Sequence, residues 1–333
     1  MKKILYSLIA VLAIVMSSCS NDDIEITRAI SVKVNPSGVI APFTYEKNAG
    51  ELESFNTNYK LRIHTFAYNE KGILVAQDVQ YLENYASIAN SNLNLEKGTY
   101  TIAAVTDVVK MDGANIKTEY WKISDTEKLS TTKITDAGRI GGKYKILGVD
   151  IQKMTLGDNK NECRLNPKSV GALCLVEWYN IHTFSFVEQY SLDMSKTCEF
   201  LQLNEQGSYE ISEKNENGAF KWRLTFLEPS NYTSLDYDYG YYFVLPMKNV
   251  NFKYTYTANG SKKDVFNEDP ASVSFEAGGE YWFALDLCDE GKNNGVTRAY
   301  GDLLNGSNSA KGYSAKAKTR SNAQALYIED YAK

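Results

Sequence analysis

The sequence predicts an all-β chain made of two β-sandwich domains in tandem, and three observations predict it. Strand-favouring residues are abundant, with 24 tyrosines among 333 residues. Short runs alternate apolar with polar side chains, which is the period of a half-buried strand. Gly- and Asn-containing turns recur about every ten residues, the spacing of sandwich strands. No long amphipathic helix pattern competes, and the length suits two cores of ordinary size.

Taken in order, Ile30-Ser31-Val32-Lys33-Val34 alternates cleanly and stops at Asn35-Pro36-Ser37-Gly38, a strand running into a turn. Leu61, Ile63, Thr65 and Ala67 fall on one face of the next strand and Arg62, His64, Phe66 and Tyr68 on the other. Asn69-Glu70-Lys71-Gly72 then turns the chain into Ile73-Leu74-Val75, completing a hairpin. Leu93-Asn94-Leu95-Glu96-Lys97-Gly98 opens a buried strand, Thr99 to Val105.

Between Val108 and Asn161 the pattern weakens, and the domain change is placed late in this stretch, giving domains 30–158 and 159–290. The second half restarts at Val170 to Tyr179. Further strands are expected at Phe220–Phe226, Tyr241–Leu245, Val250–Tyr256, Ser272–Phe275 and Glu280–Leu287. Gly98 and Gly279 each stand two places before a Tyr that leads into an apolar strand, an internal echo that fits two related modules. Residues 291–333 read as a low-complexity tail with a short terminal strand around Ala325-Leu326-Tyr327-Ile328.

The N-terminus is organised differently. Lys2 and Lys3 precede an apolar run from Ile4 to Met16, followed by Ser17, Ser18 and Cys19. At 1.5 Å per residue that run falls well short of ~30 Å of hydrocarbon, so residues 1–18 read as a signal peptide and not a membrane span. Small residues directly before a cysteine resemble the bacterial lipobox, which implies acylation of Cys19 as the new first residue. Two or three acyl chains, each buried CH₂ worth ~0.8 kcal/mol, would anchor the chain stably. Residues 19–29 are then an acidic lipid-proximal linker. Its Ser20-Asn21-Asp22-Asp23 is similar to the acidic export tag of Bacteroidales lipoproteins, which implies the outer face of the outer membrane.

A net charge of −5 gives no electrostatic footprint for nucleic acid. The two histidines, His64 and His182, lie in separate strand-like runs with no Cys or carboxylate at metal-ligand spacing, so neither a metal nor a cofactor is implied. Gly-x-Ser-x-Gly, phosphate-loop and His-Glu-x-x-His motifs are absent, and no catalytic residue is assigned. Besides Cys19, the chain carries Cys163, Cys174, Cys198 and Cys288. Their even number allows two bridges, while the apolar runs around Cys174 and Cys288 favour buried thiols. Tyr237, Tyr239 and Tyr241, threaded with Asp236 and Asp238, form a candidate aromatic surface for a glycan or a host protein.

The lipobox, the Leu61-Arg62-Ile63-His64-Thr65-Phe66 strand before Asn69-Glu70-Lys71-Gly72, the Leu95-Glu96-Lys97-Gly98-Thr99-Tyr100-Thr101 segment and Val170-Gly171-Ala172 together resemble the fimbrillin-like surface lipoproteins of Bacteroidales, of the minor-subunit or anchor type. The likeness spans most of residues 30 to 290. It implies two transthyretin-like Greek-key β-sandwiches and a structural role in fimbriae, with strand addition between subunits. Stalk subunits of that kind are cut after an Arg beyond the first strand, which opens a groove for another subunit's strand. Here Arg28 is read as preceding the first strand, and the next arginine, Arg62, lies within a core strand. The resemblance therefore implies a membrane-retained anchor or minor subunit. The alternative is a surface glycan-binding lipoprotein of a nutrient-uptake system.

Overall fold

The computed structural model describes residues 28–43, 58–138, 142–157, 161–179, 187–225, 237–250, 252–258, 261–265, 273–286 and 298–303. These residues hold strands and short 3₁₀ turns but no α-helix. The first half contributes β1 (Arg28–Val34), β2 (Tyr59–Asn69), β3 (Leu74–Leu82), β4 (Ala89–Leu95), β5 (Gly98–Asp112) and β6 (Asn115–Glu119). The middle contributes β7 (Trp121–Ser124), β8 (Lys133–Asp136), β9 (Leu147–Leu156), β10 (Glu162–Leu165) and β11 (Lys168–Ser169). The second half contributes β12 (Ala172–Tyr179), β13 (Val187–Leu203), β14 (Tyr209–Thr225), β15 (Tyr237–Val244) and β16 (Met247–Val250). It ends with β17 (Phe252–Ala258), β18 (Ser261–Val265), β19 (Val273–Phe275), β20 (Glu280–Asp286) and β21 (Arg298–Leu303).

A central sheet of order β11-β9-β5-β2-β3, with β6 added beside β5, carries the first core. Its two middle strands, β5 and β2, are buried on both faces. Leu61, Ile63, Thr65 and Ala67 of β2 are fully covered, and so are Arg62, Phe66 and Tyr68 on the opposite side. The first face packs against the sheet β10-β1-β4, with the Thr65 and Ser91 hydroxyls 3.2 Å apart across the gap. The second face packs against β7 and the segment leading into β8, where the Tyr68 hydroxyl meets Thr132 Oγ1 at 2.8 Å. Double-sided burial explains why β5 reads as a near-continuous apolar run and not as an alternation.

Sheets are shared between early and late parts of the chain. β7 and β8 extend the sheet β18-β17-β13-β8-β7, to which β14 adds, and Leu201 of β13 stands in register with Ile134 of β8. Beside them lies the sheet β15-β12-β20-β21, in which β12 runs antiparallel to β15 and parallel to β20. Trp121 of β7 meets Phe243 of β15 edge to face at 6.1 Å and donates its indole N–H to the Lys145 carbonyl at 2.7 Å.

The expected all-β class of packed sheets is observed, and the strands predicted at 30–34, 61–75, 99–105 and 170–179 are present. The weakly patterned stretch after Val108 holds β6 to β9 among its described residues, with a buried core contribution from Trp121, Ile134 and Leu147. Two readings need correction. Arg28 does not precede the first strand. It is the first residue of β1, in register with Leu95, because antiparallel pairing with β4 continues to that end. Within the tail, residues 298–303 form β21 against β20, whose open edge supplies the backbone partners. The segment Ala325 to Ile328 lies outside the described residues.

Gly171 marks a tight backbone approach at the start of the second half. A Cβ there would stand 2.4 Å from the Val244 carbonyl oxygen and 2.4 Å from the Phe243 ring. The oxygen belongs to main chain, so relief requires β12 and β15 to separate. Gly171→Ala is expected to lower stability by about 1–3 kcal/mol, the usual cost of overpacking, read as a lower urea midpoint.

Candidate functional site: the first strand and its groove

β1 is the middle strand of its sheet, antiparallel to β4 and parallel to β10. Ile30, Val32 and Val34 point inward and are 0–1% exposed, beside Leu93 and Leu95 of β4 and Cys163 and Leu165 of β10. At roughly 1.5–3 kcal/mol for each fully buried aliphatic side chain, these three residues contribute several kcal/mol to the core. On the outer face Lys33 Nζ lies 2.8 Å from Glu162 Oε2, joining β1 to β10. That hydrogen bond and a second from Arg164 hold the exposed Glu162 carboxyl below its ordinary range.

The end of β1 is pinned as firmly. Asn35 Oδ1 accepts from the Ser37 N–H at 3.2 Å, Pro36 begins a 3₁₀ turn through Val39, and the Asn35 N–H donates to the Leu165 carbonyl at 2.9 Å. The turn seats Val39 over Gly148, where a Cβ would lie 2.4 Å from the valine side chain. Together β1 and its turn fill a groove between β4 and β10. Removing them would uncover a long apolar slot with two open strand edges, the kind of feature that accepts a strand from another chain.

Arg62 is not accessible. Its guanidinium donates from Nε and Nη2 to the two oxygens of Asp107, both at 2.8 Å, from Nη2 to the Trp121 carbonyl at 3.0 Å, and from Nη1 to Glu119 at 2.5 Å. Asp107 is fully buried. Burial by itself would depress the Arg62 pKa, but the Asp107 and Glu119 charges outweigh it and hold the group protonated.

His64 packs at the rim of the same face, stacked on Phe66 with ring centroids 4.6 Å apart. Its buried Nδ1 has no hydrogen-bond partner. Burial, and then the Arg62 charge, push its pKa down to about 4. Near the hairpin turn a shallow pocket of about 240 Å³ is lined by Asn69, Lys71, Tyr100, Lys153 and Glu205 among others, and Tyr100, its one aromatic, is only 8% exposed.

The other candidates are placed as follows. Cys19 and the tag Ser20, Asn21, Asp22 and Asp23 lie outside the described residues, as do His182 and Cys288. Cys163 and Cys174 are buried and Cys198 is half-buried; burial pushes the Cys174 pKa well up and that of Cys198 up to about 12. Tyr237, Tyr239 and Tyr241 stand in β15 in register with Tyr179, Glu177 and Leu175 of β12. Sequence reasoning missed Asp107 as the partner of Arg62, although a lone carboxylate inside the apolar run Ala103 to Val109 is a signal that a buried cation must meet it. Among the described residues no helix is long and apolar enough to cross a membrane, and no group of three or more His, Cys, Asp or Glu could hold a metal.

Fold and site define an all-β protein of packed sheets whose first strand fills its own groove. No protein-family model and no curated protein matches the sequence. Among solved structures, the chain is similar to the fimbrial anchor protein Mfa2 from Porphyromonas gingivalis, at 12% identity and TM-score 0.46, covering 84% of this chain and 99% of that one. It is similar to a candidate adhesin from Bacteroides ovatus at 9% identity and TM-score 0.47, covering 86% and 96%. It is also similar to a candidate polysaccharide-binding protein from Bacteroides thetaiotaomicron at 10% identity and TM-score 0.45, covering 83% and 96%.

Two outcomes follow from the buried charges. Arg62→Met leaves the Asp107 carboxylate buried without its cation and should cost about 3–5 kcal/mol in urea unfolding, while adding Asp107→Leu should recover most of that loss. Because the His64 pKa is lower in the folded chain (about 4) than in the unfolded chain (6.5), its contribution is complete above pH 6.5 and disappears as the pH falls toward 4. The difference in unfolding free energy between wild type and His64→Asn should therefore change across that window and stay flat from pH 7 to 8.

Proposed function

We propose that this chain is a cell-surface lipoprotein, anchored in the outer membrane through acyl chains on Cys19, that serves as a membrane-retained structural subunit of a fimbrium and meets its partners by β-strand addition. The observation that carries the reading is the setting of β1. Ile30, Val32 and Val34 are buried in the middle of a sheet, and no arginine occurs between Ala29 and Leu61. An Arg-directed protease would have to cut at Arg28, which leaves the rest of β1 in place, or at Arg62, whose backbone is paired on both sides within the central sheet.

A cut at Arg28 would release the protein from its lipid without opening the groove. A subunit with this arrangement keeps its own first strand, accepts no donor strand there, and stays where the lipid holds it, as the base of a polymer does. The acidic residues after Cys19 support export to the outer face of the membrane.

The test is intact mass and N-terminal sequencing of the protein from isolated outer membranes, with protease shaving of whole cells. The expected product begins at acylated Cys19, is lost on shaving, and loses its membrane association in Cys19→Ala. A lipid-free product beginning near residue 50 would mean that β1 is discarded and that the chain polymerises as a stalk subunit.

A further inference from the structure

β3 is the free edge of the central sheet. Along that edge the only backbone pairing among the described residues involves its first turn, where the Leu74 N–H donates to the Glu127 carbonyl at 2.9 Å and the Leu129 N–H to the Gly72 carbonyl at 2.8 Å. From Val75 to Leu82 the outer edge has no backbone partner among the described residues, and the burial alternates, with Val75, Gln77, Val79 and Tyr81 facing solvent. Val75 is 46% exposed, Val79 36% and Tyr81 43%.

Edges of this length are normally blunted by lysine, proline or brevity. The opposite edge follows the rule, since β11 has only two residues. The neighbouring edge, β4, is closed by a side chain: the Gln80 carboxamide donates to the Asn90 carbonyl and accepts from the Asn90 N–H at 3.2 Å, with Asp78 accepting from the same amide at 2.9 Å. β3 itself carries no lysine and no proline, and Asp78 is its only charge.

We infer that β3 pairs antiparallel with β3 of a second copy of this chain, about a two-fold axis at Val79. Opposed residues must share a face, so only a few registers are open. A two-fold at Gln77 would drive the second strand into the edge occupied by residues 127–129. A two-fold at Asp78 would oppose the two carboxylates. A two-fold at Gln80 would place Asp78 against Leu82 of the second copy and shorten the overlap. At Val79 each Asp78 stands across from Gln80 of the other copy, Gln77 from Tyr81, Ala76 from Leu82, and the two Val79 side chains meet. Within that overlap Val79 and Tyr81 gain neighbours on their own face, and no like charges oppose.

A single strand pair buries less than the ~800 Å² per partner of a standard interface, so the dimer is weak in solution and is favoured where lipid anchoring concentrates the chain on a surface. The inference stands on the edge and its register; only the concentration at a surface rests on the proposed lipid anchor.

The test uses the full chain in detergent by sedimentation equilibrium from 5 to 500 µM, together with cysteine cross-linking. A concentration-dependent dimer is expected, shifted at least tenfold toward monomer by Val79→Lys, an exposed substitution whose fold is checked by circular dichroism. Val79→Cys should form a disulfide with its own copy under mild oxidation, since facing Cβ atoms lie about 4.5–5.5 Å apart, whereas Gln77→Cys should not. Wild type that stays monomeric throughout, a Val79→Lys variant that dimerises equally, or Gln77→Cys linking as readily as Val79→Cys would overturn the inference.

Discussion

The middle strands of the central sheet, β2 and β5, are covered on both faces, and β2 nevertheless carries an arginine. Arg62 can occupy β2 only because Asp107, directly across from it on β5, offers both carboxylate oxygens and because Glu119 and the Trp121 carbonyl take the remaining donors. A buried ion pair of this kind adds little net stability compared with an apolar pair of the same shape, while removing one partner alone is costly. Its effect is positional. The guanidinium ties β2, β5, the end of β6 and the start of β7 into one arrangement, and β7 in turn leads into β8, which carries the sheet of β13. On that face of the sheet, the joining of β2 and β5 to β7 thus includes a charge satisfied at a single place.

A chain made almost entirely of strands must dispose of many edges, and around the first core several are handled in different physical ways. β1 is closed on both sides by β4 and β10. β11 is too short to recruit a neighbour. The outer edge of β4 meets a glutamine side chain that imitates one peptide unit. These devices share one logic, because a free row of N–H and C=O groups is satisfied either by water or by the next available strand. Against that background β3 stands apart, long and apolar on its outward face, with only one charge.

Local chemistry made parts of this architecture legible in the sequence. The β2–β3 hairpin follows from Asn69, whose Oδ1 accepts from the Lys71 and Ile73 N–H groups at 3.0 Å each, and from Gly72, whose φ of 71° suits glycine. The end of β1 follows from Asn35 and Pro36 in the same way. What escaped the reading was set by distant partners. β9 shows little alternation because it lies between β5 and β11 and is covered unevenly along its length. β13 breaks its period at two irregularities, between Met194 and Lys196 and between Cys198 and Phe200, so a strand of 17 residues looks like several weaker fragments. The Arg62–Asp107 pair spans 45 positions, beyond the reach of any local pattern.

The groove around β1 connects fold to role through the same contrast of local and distant. Ser31 to Val34 of β1 pair parallel with Glu162 to Leu165 of β10, residues that enter the chain more than a hundred positions later, while the antiparallel partner β4 lies much nearer in sequence. Closing a parallel contact across so long a loop costs more chain entropy than closing a hairpin, and that cost is offset by burying Ile30, Val32 and Val34. Once formed, such a strand is held by side chains from both neighbours and leaves the groove only with the loss of all of them. With β1 in place the groove is filled; without it an apolar slot and two strand edges would stand open.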